Sequence, residues 1–182
     1  MNLSDYVCVY DNALDVDYCR QLIEQFESDV REQLKQQDSI KSFTEINAVQ
    51  AGWDLRPLLQ QALTYRQQYW RDCRITAQHV NPDHAWEEIR MKRYRANTAD
   101  EFRPHTDSWN AETARRFLVY FWYLQDVEAG GETEFYGLDR PLKIQPRAGR
   151  LVMFPATWQY LHAGLPVQAG TKYIIGGYYQ HG

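Results

Sequence analysis

The chain is expected to be mainly β with flanking helices, a double-stranded β-helix (jelly roll) with its N-terminal helices packed on one sheet. Three observations predict this class. Apolar residues recur at helical spacing only in the first 75 residues. After Pro82 the chain breaks into about eight short runs of strand-forming residues, punctuated by Gly and Pro. One of these, Arg116 to Leu124, is a nearly unbroken run of β-formers suited to a central strand. Helices followed by many short strands argue for helices on one face of a β-sandwich, whose closed form is the jelly roll.

Taken in order, residues 3–10 read as a first short strand. Residues 15–37 read as a helix, with Asp15 as its N-cap and Cys19, Leu22, Ile23, Phe26 and Val30 on one face. Residues 38–53 lack periodicity and read as a loop with the character of a lid. Residues 54–71 read as a second helix, capped by Asp54 and buried through Leu55, Leu58, Leu59, Ala62 and Tyr65. Strand candidates follow at 86–94, 102–107, 115–124, 133–136, 142–145, 150–154, 159–162 and 172–180. Gly130-Gly131 and Gly149 read as turns. No repeat, low-complexity stretch or linker divides the chain. The expectation is one domain over 1–182, with a helical part at 1–75 and a jelly-roll core at about 86–180.

Composition excludes several classes. The net charge is −4 and no basic stripe stands out, which gives no electrostatic ground for nucleic-acid binding. No run approaches the roughly 18 apolar residues of a membrane span, and the opening residues lack the basic and apolar regions of a signal peptide. The three cysteines, Cys8, Cys19 and Cys73, are odd in number and show no zinc spacing. That pattern fits a reducing compartment, so a cytoplasmic protein is expected.

The chemistry-bearing residues centre on Arg103-Pro-His-Thr-Asp107, joined to His162 and Lys172 downstream. Two imidazoles and a carboxylate suit Fe(II) and leave three coordination positions open for a bidentate organic acid and O₂. On a strand, His105 and Asp107 would point the same way and Thr106 the other. His162 would come from a different strand, with the two faces of the jelly roll converging on one metal. The His-x-Asp pair alone is weak evidence, since one arises by chance in roughly a third of chains of this composition. A solvated loop pair remains the alternative on spacing alone.

The surrounding sequence carries more. It includes Arg93-Tyr94, Phe102-Arg-Pro-His-Thr-Asp107, Tyr123-Leu124, Gly130-Gly-Glu-Thr133, Gly149-Arg-Leu-Val-Met-Phe154 and His162-Ala-Gly-Leu-Pro-Val-Gln-Ala-Gly-Thr-Lys172. From Arg90 to Tyr179 it resembles the 2-oxoglutarate- and Fe(II)-dependent dioxygenases, specifically the prolyl 4-hydroxylase-like branch. The resemblance implies His105, Asp107 and His162 as iron ligands. It implies Lys172 as partner of the distal carboxylate of 2-oxoglutarate, with Tyr123 and Tyr94 beside it. Core packing remains the alternative for both tyrosines. Phe102 stands where the family often has tyrosine, and the 95–101 loop is unusual and a second candidate lid. Because Asp107 keeps the carboxylate that related halogenases lack, the resemblance points to hydroxylation or another oxidation.

The implied cofactors are Fe(II), 2-oxoglutarate and O₂, with ascorbate as a further candidate. The implied reaction couples oxidative decarboxylation of 2-oxoglutarate to hydroxylation of a C–H bond. The first choice of substrate is a prolyl residue in a peptide or protein. A free amino acid or other small molecule is the alternative, and a metal-binding jelly roll that senses without turnover is the alternative of another class. Tyr178, Trp109 and Trp158 are candidates to line the substrate pocket. His79, His84 and His181 lack partners at ligand spacing and read as surface residues. Arg115 and Arg116 read as solvent-facing partners of Glu112, with contact to an acidic substrate as the alternative.

Overall fold

The computed structural model describes residues 1–80 and 84–182. Its strands are β1 (Cys8–Tyr10), β2 (Leu34–Gln37), β3 (Lys41–Asn47), β4 (His84–Trp86), β5 (Arg90–Arg95), β6 (Glu101–His105) and β7 (Arg116–Tyr123). They continue with β8 (Ala129–Gly130), β9 (Thr133–Phe135), β10 (Leu142–Ile144), β11 (Leu151–Pro155), β12 (His162–Gly164), β13 (Val167–Ala169) and β14 (Thr171–His181). Two helices, α1 (Val16–Ser28) and α2 (Arg56–Asp72), precede β4. Twelve strands form one antiparallel sheet in the order β1-β11-β7-β14-β5-β3-β6-β12-β9-β10, with β2 on β3 and β4 on β14. β13 and β8 form a separate pair.

The sheet curls because single strands serve two neighbours on one edge. Thr44–Asn47 of β3 pair with β5, while Lys41 and Ser42 pair with β6. The other edge of β3 carries β2. This gives the double-stranded β-helix expected from the strand count.

β7 lies between β11 and β14 and is buried on both faces, which explains its nearly continuous apolar run. Alternation sends Tyr120 and Trp122 toward the helices, where they join Leu22, Phe26, Leu58, Met153 and Ile175. It sends Val119 and Tyr123 to the concave side with Phe135, Ile144, Val152 and Phe154. The helices therefore stiffen the convex face, and the concave face is left for a site.

Several boundaries differ from expectation, each for a local reason. Residues 3–6 form a single 3₁₀ turn closed by Asn2 and Asp5, so the first strand is only β1. Asp15 does cap α1, accepting from the Tyr18 amide. That helix stops at Ser28 rather than residue 37. Continuing it would lay out Val30 and Leu34, which are 67% and 59% exposed, with nothing to cover them. Gln33 instead folds back to donate to the Phe26 carbonyl, and Leu34–Gln37 turn into β2.

The segment 38–53, expected to be a loop, contains the central strand β3. Asp54 does not cap α2; Leu55 holds the N-cap position and Asp54 pairs with Arg56. Leu58 and Ala62 are buried on α2 as expected, together with Arg66 and Tyr69. The 86–94 candidate divides into β4 and β5, and β6 ends at His105, short of residue 107. The 159–162 candidate is a 3₁₀ turn at Trp158–Tyr160, and β12 begins only at His162. Among the described residues, no helix is long and apolar enough to cross a membrane.

Candidate active site

β6 and β12 pair so that His105 and His162 are direct cross-strand partners. They are neighbours in one sheet, not contributions from two opposed faces. Asp107 lies just beyond the end of β6, and its side chain still returns to the histidines. One ligand atom from each residue can be chosen so that all lie within 4.8 Å of one another. His105 Nε2 stands 3.9 Å from Asp107 Oδ1, and His162 Nε2 stands 3.6 Å from Oδ2.

Backbone carbonyls set the imidazoles. His105 Nδ1 donates to the Arg103 carbonyl at 2.8 Å, and His162 Nδ1 to the Tyr160 carbonyl at 3.0 Å. These acceptors assign the proton to Nδ1 and leave each Nε2 lone pair facing Asp107. Phe102 stacks on the His105 ring at 3.5 Å, so the phenyl that replaces the expected tyrosine holds a histidine in place. Burial, then the neighbouring His162, push His105 down to about 4, which keeps it neutral and able to ligate near pH 7.

Asp107 is fixed by Tyr178, whose hydroxyl donates to Oδ1 at 2.7 Å. Oδ2 is buried and, among the described residues, accepts no hydrogen bond. A buried acceptor left without a donor is costly, and a divalent cation held by the three side chains would satisfy it. Burial alone would raise this carboxyl, but His162, His105 and Tyr178 outweigh it and hold Asp107 below the ordinary range. The residues present therefore fit a two-histidine, one-carboxylate Fe(II) site.

A cavity of about 760 Å³ runs past this cluster. At its inner end Lys172 is buried, donates to the Gly131 carbonyl at 3.0 Å, and holds its ammonium 4.3 Å from the centre of the Tyr94 ring. Burial pushes Lys172 down to about 7. Tyr123 meets Thr133 Oγ1 at 2.6 Å beside it. Gly131, at φ +75, and Thr133 belong to the Gly-Gly-Glu-Thr run, which sequence reasoning took for a turn. That turn supplies the carbonyl and the hydroxyl facing Lys172 and Tyr123.

A sequence profile of the 2OG-Fe(II) oxygenase superfamily matches residues 89–180, half of the chain. This chain belongs to that superfamily. A search of curated protein sequences finds no match. Among solved structures, the oxygenase resembles the viral collagen prolyl hydroxylase of Paramecium Bursaria Chlorella virus-1 in its 2OG complex. The TM-score is 0.71 at 19% identity, covering 97% of each chain. It also resembles a Pseudomonas putida prolyl-4-hydroxylase (TM-score 0.69, 18% identity, 97% of this chain and 93% of that one). A prolyl hydroxylase from Trichoplax adhaerens, solved with a hypoxia inducible factor peptide fragment, gives 0.72 at 17% identity over 97% and 84%. At these identities the likeness is one of fold.

Tyr94, Tyr123, Lys172 and Tyr178 lie on the wall of this cavity, together with the three-residue cluster. The two tryptophans are placed differently. Trp109 stands at the cavity's edge and is 74% exposed, while Trp158 is outside the cavity and 75% exposed. Both line a shallow hollow with Thr106, Ser108 and Asn110.

Arg116, expected to face solvent, is locked to Glu87, donates to the Asp107 carbonyl at 3.0 Å, and stacks 3.9 Å over Tyr178. Arg115 binds the His181 carbonyl rather than Glu112. His79 and His181 are exposed. The side chain of His84 and the residues Asn81 to Asp83 lie outside the described residues.

Proposed function

We propose that the oxygenase hydroxylates a prolyl residue in a peptide or protein. Fe(II), 2-oxoglutarate and O₂ together supply the oxidising power and leave succinate and CO₂. The chain's own residues bind, orient and exclude water. His105, Asp107 and His162 hold the metal. Lys172 and Tyr123 take the distal carboxylate of 2-oxoglutarate, and the Tyr94 ring backs the ammonium. Tyr178 and Trp109 line the path by which substrate reaches the metal, and Trp158 extends that surface outside.

The observation that carries a peptide substrate is the pair of exposed tryptophans in the shallow hollow beside the cavity. A small molecule enclosed in the cavity has no use for an apolar platform outside it. A chain with a proline in the cavity lays its flanking residues there, and tryptophan faces suit such contacts. The likeness in fold to prolyl hydroxylases supports the same choice, although a shared fold alone does not fix a substrate. The unpaired cysteines support a cytoplasmic setting, where ascorbate can keep the iron reduced.

The test is succinate release in the presence of proline-containing peptides, with free amino acids run in parallel. Stimulation by peptides alone is expected. Stimulation by free amino acids alone would remove the peptide reading and leave the oxygenase site intact.

A further inference from the structure

Five cations line the cavity: Lys41, Arg90, Lys92, Arg116 and Lys172. Three already have carboxylate partners. Lys41 faces Asp38 at 3.8 Å, Arg90 bridges Glu45 at 2.8 Å and Glu88 at 2.9 Å, and Arg116 is bound to Glu87. Lys172 donates to Gly131 at the inner end. Lys92 is different. Among the described residues its ammonium has neither a hydrogen-bond acceptor nor a carboxylate at ion-pair distance. Its neighbours are the faces of Phe43 and Phe102, 4.9 and 5.6 Å from the nitrogen.

Two phenyl faces attract a cation, but they accept none of its three N–H bonds. Glu45 and Asp107 act on Lys92 through space. Neither carboxylate pairs with it: Glu45 Oε1 accepts from Arg90 and Gln36, and Asp107 Oδ1 accepts from Tyr178. An ammonium that lines the cavity beside two ring faces keeps its N–H donors open to a ligand that supplies acceptors.

The position of Lys92 indicates which ligand. Arg90, Lys92 and Tyr94 alternate on the cavity face of β5. Tyr94 is paired with Lys172, Lys92 with Ile174 and Arg90 with Gly176. Lys92 thus stands one step from the Lys172 end toward the half-exposed Arg90. Phe102, beneath it, carries the His105 ring. Of the two carboxylates of 2-oxoglutarate, the distal one is met by Lys172 and the other by the metal. Lys92 is left for a third.

We infer that Lys92 receives a carboxylate carried by the substrate, beside the carbon that is oxidised. In a peptide that group is an aspartate or glutamate next to the target proline. The inference rests on the oxygenase reading of the cavity and does not depend on proline.

The experiment uses the Fe(II)-loaded protein with Lys92→Met and Lys92→Arg. The first arm is an anaerobic titration of 2-oxoglutarate, followed at its visible charge-transfer band. Half-saturation within about twofold of wild type is expected in both variants. A loss of tenfold or more in Lys92→Met would move Lys92 to the co-substrate and overturn the assignment.

The second arm measures succinate release with peptide pairs differing only in Glu against Gln, or Asp against Asn, beside the proline. The acidic member is expected to lead by about tenfold in kcat/KM, the scale of one charge-assisted hydrogen bond. The preference should survive in Lys92→Arg and vanish in Lys92→Met. Equal rates in wild type, or a preference that persists in Lys92→Met, would overturn it.

If no proline peptide is turned over, the prolyl reading fails separately and a third arm still decides Lys92. Carboxyl-labelled acetate is added in excess to the protein loaded with Mn(II) and 2-oxoglutarate. Paramagnetic relaxation of the label is expected in wild type and Lys92→Arg and not in Lys92→Met. Equal relaxation in wild type and Lys92→Met overturns the inference.

Discussion

His105 and His162 face each other across the antiparallel β6–β12 pair, their ring centroids 4.4 Å apart and both Nε2 atoms turned to Asp107. The pairing register therefore sets two corners of the site, and the chain just beyond β6 returns the third. Removing either imidazole leaves an incomplete set. His162→Ala is expected to weaken binding of Co(II) by at least about 100-fold, since losing a mere outer partner of a metal ligand costs up to that much. Anaerobic calorimetric titration measures it, and affinity equal to wild type would exclude His162 as a ligand.

Tyr178 is expected to act as a positioning residue for Asp107. Its hydroxyl engages Oδ1 and leaves Oδ2 facing His162 Nε2, where it would be free to hold a metal. Tyr178→Phe removes one charge-assisted hydrogen bond, worth about 1.5 kcal/mol or roughly tenfold in metal affinity. The visible spectrum of the Co(II) form should change with it, because the carboxylate is freed to bind through both oxygens. An unchanged spectrum and unchanged affinity would show that the hydrogen bond has no such role.

Lys172 gives the site a pH dependence of known sign. In the folded protein burial holds it down to about 7, below its ordinary value. Between about 7 and 10 the unfolded chain binds more protons than the folded one, so stability of the ligand-free protein rises with pH across that window. Below about 7 both states are protonated and the dependence disappears. A carboxylate ligand favours the ammonium, so binding above pH 7 takes up a proton. The Kd for 2-oxoglutarate should be flat below pH 7 and rise about tenfold per unit from there to pH 9. Calorimetry in buffers of different ionisation enthalpy should find uptake approaching one proton at pH 8.5, and zero uptake would refute this account of Lys172.

Gly176 tests the link between sheet packing and the site. A Cβ built there would meet the Tyr120 carbonyl oxygen at 2.1 Å and Phe121 Cα at 2.6 Å, both backbone atoms of β7. Gly176→Ala must push β14 and β7 apart. A loss of at least about 2 kcal/mol is expected, or a fall in Tm of roughly 4–8 °C for a chain of this size. An unchanged melting curve would mean that the two strands are not packed this closely.

The site was more legible in sequence than the fold around it, and the reason is local. His105 and Asp107 lie two apart at the end of β6 and stay neighbours in space, while His162 in β12 and Lys172 in β14 were legible only through the motif that joins them. β3 gave no such signal. Its buried positions are Ser42, Phe43, Glu45 and Ile46, two of them polar and satisfied only by distant partners such as Asp100 and Arg90. Without a period of two in apolar residues, a central strand read as a loop. The end of α1 was hidden likewise, because Gln33 and Trp53 supply the contacts around Phe26 and Asp29 that stop it. Lys92 went unnoticed because only the assembled cavity shows its ammonium beside two ring faces with no acceptor among the described residues.

The central claim is that His105, Asp107 and His162 present Fe(II) to 2-oxoglutarate with open positions to spare. Adding Fe(II) and 2-oxoglutarate to the protein without oxygen tests this most directly, because chelation of the iron by the keto acid gives a weak visible charge-transfer band. The account predicts the band in wild type and its loss in His105→Ala. A wild-type protein without the band, or a His105→Ala protein that keeps it, would contradict the account.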